Sequence, residues 1–342
     1  MSDRTMHNEL PPPAIFMQLL FGKQITYSLS GVARLGVADH MSNKASPVEE
    51  LATKTGAHAP SLYRAMRMLA SLGVFKESPK RHFALTPVGE LLKTDAPVSL
   101  RYLAMMFGEE FSTRAFAHIT DCLRTGGDGV TAAYGKDIWQ VLAEYPEQCQ
   151  VFQNAMSASS SSSVPAIVEA YDFGAIKRIA DVGGGHGFLL GSILRANPAL
   201  KGVLFDRPEV VQSLPKGAFA GLDGRTAIEG GSFFERVPDD CDAYIMKHII
   251  HDWDDEHCCT ILRLMRDKLP ANGRVLVCEM VVTDEPGPTP AKMLDIEMLV
   301  MTVGGKERTE AEFAEIFAAS GLELNRIVPT SRPIAVIEAI RA

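Results

Sequence analysis

Cysteine is scarce in this chain, with six among 342 residues (122, 149, 241, 258, 259 and 278), and the spacing of the six forms no repeated framework. That excludes a disulfide-stapled secreted scaffold and makes reduced thiols in a cytoplasm the expectation. Long apolar runs are missing too. None approaches the roughly 18 residues of a membrane span, and the start, Met1 to Pro13, is polar and closes on three prolines with no signal-type apolar segment. Positive charge is in deficit: 34 Lys and Arg face 42 Asp and Glu, for a net charge of −8. Binding to a nucleic-acid backbone or a membrane surface is therefore not the expected task. What remains is a chain that is 46% hydrophobic and long enough for two domains.

The most distinctive stretch present is Asp181-Val182-Gly183-Gly184-Gly185-His186-Gly187. Ile179 to Val182 form the apolar end of a buried strand, and Phe188-Leu189-Leu190 with Ile193 and Leu194 begin a helical period. Glycines in the turn let a ligand approach the backbone where a Cβ would stand in the way. Their spacing, 183, 185 and 187, departs from the dinucleotide fingerprint G-x-G-x-x-G, which would need glycine where Phe188 stands. It fits a loop against the amino-acid moiety of S-adenosylmethionine (SAM). The next strand, Gly202 to Asp206, ends in a carboxylate 19 residues after the last glycine, placed to accept hydrogen bonds from ribose hydroxyls. NAD and SAM share that ribose, so Asp206 supports an adenosine ligand without choosing between them.

A third strand, in Asp242 to Lys247, runs into His248-Ile249-Ile250-His251-Asp252-Trp253 and a run of acids. His251 falls just beyond the strand end, on the rim that carries the glycine turn, and imidazole is the side chain suited to proton transfer near neutrality. With these residues in view, the chain resembles the SAM-dependent small-molecule O-methyltransferases of the plant caffeate and flavonoid type and their bacterial natural-product-tailoring relatives. The resemblance rests on DVGGGHG, on LFDRPEVV (204–211), on GSFFERVPDDCDAYIMKHIIHDWDDEHC (231–258), on GRVLVCEMVV (273–282) and on DIEMLVMTVGGKERTEAEF (295–313). It covers nearly the whole chain.

The resemblance implies an α/β fold: a Rossmann-like SAM-dependent methyltransferase domain behind an N-terminal helical winged-helix dimerisation domain. It implies His251 as general base with Glu279 and Glu307 holding or flanking the imidazole, and Asp252 helping to hold the segment. The cofactor, SAM leaving as S-adenosylhomocysteine, would contact Asp181, Gly183, Gly185, Asp206, Ser232, Phe233 and Lys247, with no metal required. Met156, Met298 and Thr302 match substrate positions, and Phe152, Met293 and Met301 are further candidates for lining an aromatic pocket. The partners implied are a small aromatic hydroxyl substrate, phenolic or polyketide-like, and a second copy of the chain. Three residues depart from the family. Ser232 stands where an acid meets the adenine, His248 replaces a common tryptophan, and Thr302 replaces the asparagine common in plant relatives.

The cluster His251, Asp252, Asp254, Asp255, Glu256, His257, Cys258 and Cys259 matches no zinc spacing and reads as an acidic helix start. In the N-terminal third, Ser46-Pro47-Val48-Glu49 reads as a capping box with Pro at the first helical position. Leu62, Met66, Leu69 and Leu72 then mark one helix face before a stop at Gly73. A hairpin over Phe75 to Thr86 and a helix from Thr86-Pro87 complete a winged layout. Arg64, Arg67, Lys76, Lys80 and Arg81 read as a solvated face, and Ile15, Phe16, Leu19 and Leu20 as a dimer surface. We expect the dimerisation domain over 1–100 and the catalytic domain over 101–342, linker helices filling 101–170. A helix is expected across the five serines 159–163, and an antiparallel pair, 321–329 with 333–341, at the end. The alternatives are a SAM-binding relative turned to hydroxylation or decarboxylation, and a winged-helix ligand-responsive regulator.

Overall fold

The computed structural model describes residues 11–42 and 44–342; the expectation for the polar first ten residues lies outside them. Contacts divide the chain into two compact units. One runs up to Thr113 and includes Glu147–Ala158; the other comprises Arg114–Pro146 and Ser159–Ala342.

In the first unit, helices Gly22–Arg34, Val48–Thr55 and Ala59–Ser71 accompany a small antiparallel sheet. Its strands are β1 (Ser46–Pro47), β2 (Phe75–Ser78) and β3 (His82–Leu85), in the order β1-β3-β2. The expected hairpin is present. Leu62, Met66 and Leu69 are buried at helical spacing against a core containing Phe75 and Phe83. Leu72 is not on that face and stands 51% exposed: the helix ends at Ser71, and the turn through Gly73 (φ +81°) carries Leu72 outward. The capping box at Ser46 is also absent. Ser46 and Pro47 pair with Phe83 and His82 as strand residues, so the helix begins at Val48 behind an extended Pro47 with no side-chain cap. Sheet pairing outcompetes the local cap. Thr86 does cap the next helix, accepting from Gly89 N at 3.1 Å. Arg67 and Arg81 lie over the Tyr63 ring, and Arg64, Lys76 and Lys80 are exposed.

The helix Pro146–Ala170 runs through the five serines without interruption, with Pro165 inside it. Ser163 Oγ donates to the Ser159 carbonyl at 3.0 Å, a local bond that keeps a hydroxyl satisfied on a helix.

The second unit is built on a seven-stranded sheet. Its strands are β4 (Arg178–Val182), β5 (Lys201–Asp206), β6 (Thr226–Gly230), β7 (Ala243–Lys247), β8 (Arg274–Glu279), β11 (Leu322–Pro329) and β12 (Ala335–Arg341), in the order β11-β12-β8-β7-β4-β5-β6. A separate two-stranded ladder pairs β9 (Val281–Val282) with β10 (Arg308–Thr309). The five strands from β8 to β6 are parallel, and β12 and β11 continue antiparallel. Near-continuous apolar runs suit strands covered on both faces, and two apolar clusters, one containing Met246, Phe313 and Phe317 and the other Leu190, Ile193 and Ile245, are buried around the sheet. Chain order reverses at β4, since β5 and β6 lie on one side and β7 and β8 on the other. Ligands of open α/β sheets bind where strand order reverses, at the carboxyl ends, and both the glycine turn and His251 follow strands at that point.

Candidate active site

At the end of β4 the chain turns through Gly183, Gly185 and Gly187, all with positive φ, before the helix Phe188–Ala196. A Cβ at Gly183 would lie 2.4 Å from Ile249 Cδ1, so close packing of the turn against the segment after β7 requires glycine there. Gly185 is different. At φ +56° its Cβ would point into open space with nothing within 4 Å, leaving backbone that a ligand can approach. Asp206, half-buried at the end of β5, accepts from Gly185 N at 2.8 Å and so ties the second strand to the turn. Burial raises the pKa of its carboxyl. Asp181 lies beneath the turn, accepting from Leu190 N at 3.3 Å; burial pushes its pKa up to about 7 against the pull of that bond and of Lys247. Burial in turn lowers the pKa of the Lys247 ammonium.

Beyond β6, Ser232 Oγ accepts from Phe234 N at 3.3 Å. Phe233 faces Gly183, and Trp253 stands edge-on to both Phe233 (6.3 Å) and Phe234 (4.8 Å). Trp253 was not singled out from the sequence. It follows the histidine in HDW, and only the tertiary packing brings it to the aromatic pair.

His251 lies in a 3-10 turn, Ile250–Asp252, rather than directly on a helix start, and is 6% exposed. Its Nδ1 is 2.6 Å from Glu307 Oε1, and its Nε2 is 3.6 Å from Asp252 Oδ1. Glu279, the last residue of β8, acts on the main chain: its Oε1 accepts from Ile249 N at 3.2 Å and His251 N at 3.1 Å. Burial opposes protonation of His251, but the Asp252 charge, the bond to Glu307 and the charge of Glu279 outweigh it and lift the imidazole to about 9. Burial likewise raises Asp252 to about 6 and Glu279 to about 7, each partly offset by His251. The whole group is a coupled site in which the proton favours the imidazole.

Glu307 is brought in by the ladder of β9 and β10, where Arg308 pairs with Val281, two residues beyond Glu279. Sequence reasoning missed what fixes this approach. Arg308 is fully buried and donates to the carbonyls of Ile250 and Trp253 (both 2.9 Å) and to Asp255 (2.8 Å), clamping both ends of the His251 turn. Lys306 N donates to His251 O at 2.9 Å, and Glu307 N to Asp295 Oδ1 at 3.0 Å. Gly305 makes the approach possible, since a Cβ there would fall 2.5 Å from His251 O. The sequence carries the string GGKER at 304–308, but only its partners in the fold give it meaning.

The helix Pro290–Met301 that supplies Asp295 also carries Met298, buried, and leads into Thr302, whose hydroxyl donates to Met298 O at 2.8 Å. Met301 is buried, whereas Met293 is 64% exposed and does not join them. Met156 and Phe152 belong to the other unit, half-buried on the long helix. The acids after His251 have structural partners: Asp254 caps the helix Asp255–Lys268 through His257 N, Asp255 pairs with Arg308, and Cys258 lies against Ile250 O.

A reversed-order parallel sheet with a glycine turn, a strand-terminal carboxylate and a carboxylate-held histidine on one rim defines the class of Rossmann-like adenosine-binding enzymes. The comparisons narrow it. Residues 116–323 match the family model of an O-methyltransferase domain, and residues 17–95 that of an O-methyltransferase dimerisation domain. The chain is 40% identical over 340 residues to the phenazine O-methyltransferase PhzM of Lysobacter antibioticus, with 99% of each covered. The crystal structure of LaPhzM superposes with a TM-score of 0.90 at 41% identity, covering 97% of this chain and 100% of that one. An O-methyltransferase from neocarzinostatin biosynthesis, solved with SAM and 2-hydroxy-5-methyl naphthoic acid, gives a TM-score of 0.80 at 30% identity over 95% of this chain and 98% of that one. This chain belongs to the O-methyltransferase family and carries its dimerisation domain at the N-terminal side.

Proposed function

We propose that this enzyme transfers a methyl group from SAM to a hydroxyl of a small aromatic metabolite, phenolic or polyketide-like, with His251 as general base. The observation that carries this reading is the 2.6 Å contact of His251 with buried Glu307, one turn beyond a strand whose exit, Ile249, packs on the glycine turn. The residues fit the cofactor. Gly185 offers open backbone, Asp206 is already fixed beside it, and Phe233 with Trp253 supplies apolar edges for a flat base. Asp181, Gly183, Gly185, Asp206, Ser232, Phe233 and Lys247 are the proposed contacts, Ser232 offering one acceptor where relatives have an acid. When bound, SAM supplies a methyl carbon that is already a strong electrophile.

The protein's own task is then the acceptor proton. A phenol with pKa about 10 is mostly protonated at neutral pH. Passing its proton to an ordinary imidazole of pKa about 6.5 is uphill by roughly 5 kcal/mol; passing it to one held at about 9 costs roughly 1.4 kcal/mol once that ring is in its neutral form, which is the minor form at neutral pH. Glu307 fixes Nδ1 and stabilises the imidazolium, leaving Nε2 to meet the hydroxyl. Glu279 and Arg308 hold the main chain that carries the ring. Met298, Thr302 and Met156 are proposed to contact the acceptor. We place dimerisation in 1–100 and catalysis in 101–342, in a homodimer. Six cysteines whose spacing forms no disulfide framework favour a cytoplasmic setting.

The test is single-turnover transfer from isotopically labelled SAM to a set of phenols, with products identified by mass. Labelled methyl ethers are expected. Products that have gained only oxygen or lost carbon dioxide would favour the other tailoring chemistries, and tight sequence-specific DNA binding at physiological salt would favour a regulator.

A further inference from the structure

His248 is the departure from the family pattern that the mechanism leaves unused. Its backbone has φ +54°, a left-handed conformation that costs a non-glycine residue free energy and persists at sites that need it. The strain seats its ring against that of His251, with centroids 5.0 Å apart and planes 29° from parallel. Nδ1 of His248 is sealed from solvent and has no hydrogen-bond partner.

An orphaned buried N–H is rarer and costlier than an orphaned lone pair, so the hydrogen-bond pattern puts the bare nitrogen at Nδ1 and the proton on Nε2. Nε2 is not sealed, and the residue as a whole is half-buried. Burial, with the charges of Lys247 and His251, depresses the pKa of this ring well below 6.5, so it stays neutral in the pH range where the enzyme would work. A neutral donor thus stands one ring-stacking distance from the base.

We infer that His248 sets acceptor specificity: Nε2–H holds a hydrogen-bond acceptor (carbonyl, carboxylate or ring nitrogen) borne ortho or peri to the hydroxyl that is methylated. Adjacent substituents of one aromatic ring system are close enough for one to meet His251 and the other His248. This rests on the proposed aromatic O-methyl transfer.

Two isomers test it: 8-hydroxyquinoline, whose ring nitrogen is peri to the hydroxyl, and 6-hydroxyquinoline, whose nitrogen is remote, both with EDTA present. Binding to the protein–S-adenosylhomocysteine complex is measured calorimetrically, and methyl transfer in parallel. The wild type should bind the 8-isomer about 3- to 10-fold more tightly, the range of one neutral hydrogen bond. His248→Phe, which keeps a ring without a donor, should bring the two isomers to parity by weakening the 8-isomer alone. His248→Asn, whose residue type tolerates the left-handed backbone but whose amide is too short to reach, should do the same if the phenylalanine variant fails to fold. Equal binding of the isomers by the wild type, or a preference that survives in the folded variants, overturns the proposal. A preference that His248 variants abolish, without methyl transfer to either isomer, would uphold it while counting against the transfer reaction.

Discussion

Two nine-residue helices, Pro12–Leu20 and Phe188–Ala196, are alike in their apolar content and opposite in their surroundings. The second buries Leu189, Leu190, Gly191, Ile193 and Leu194 beside the parallel sheet. The first buries none of its residues, leaving Phe16 62%, Leu19 74% and Leu20 56% exposed. Covering such side chains is worth about 1.5–3 kcal/mol each, so a helix left bare among the described residues is best explained by cover from a second copy. The contrast separates what the catalytic unit settles internally, down to the hydrogen-bond partners of one histidine, from what the N-terminal unit leaves for a second copy.

The hardest test of the internally settled side is His251→Ala. Turnover with a phenolic acceptor should fall roughly 10²- to 10⁴-fold, while calorimetric SAM affinity stays near the wild-type value, because the imidazole is assigned to the acceptor. Near-normal rates would remove the base from the mechanism.

Asp206→Ala probes the other half of the rim. Losing an ionised acceptor for the ribose hydroxyls should weaken SAM by about 1.5–3 kcal/mol, roughly 10- to 150-fold. Unchanged affinity in a titration would place the adenosine elsewhere.

On the unsettled side, Leu19→Asp puts a charge into the face proposed to be covered by a partner. Light scattering at micromolar concentration should find a dimer for the wild type and a shift toward monomer for the variant, with little change in the melting temperature of the catalytic unit. A wild-type monomer would leave the bare apolar helix without the proposed cover.

The finest prediction concerns pH. Under the proposed mechanism the neutral imidazole takes the proton, so the single-turnover rate should climb with pH through an ionisation near 9. Glu307→Gln removes one carboxylate that favours the imidazolium, and should move that ionisation down toward about 6.5. Stability should move the opposite way in the wild type. Folding raises the pKa of this histidine, so its contribution is fully present below about pH 6.5 and fades as pH rises through about 9. Melting curves across that window should show a weaker slope in Glu307→Gln, since Asp252 and Glu279 still favour the imidazolium, and a wild-type rate that is flat with pH would count against proton removal by His251.

Local residue types and spacing were enough to reveal the glycine turn, the strand ending at Asp206, the hairpin and the histidine beyond β7, while the family resemblance supplied the α/β class and, with the periodic flanks, the long helix through five serines. Glycine conformations, strand burial and turn chemistry act over a few residues, so they are written in order along the chain. The false cap at Ser46 and the outward Leu72 mark where that local logic loses to sheet pairing and to where the helix ends. The division of labour around His251 was not legible. Glu279 bonds main chain, Glu307 bonds the ring, and Arg308 clamps the turn from both ends, because the β9–β10 ladder brings residues about thirty apart into register. The stacking of His248 on His251 is of the same kind. Sequence determines which chemical groups are available, but a proton's position and an imidazole's basicity depend on distances and on the exclusion of water, and those exist only once distant segments have packed together.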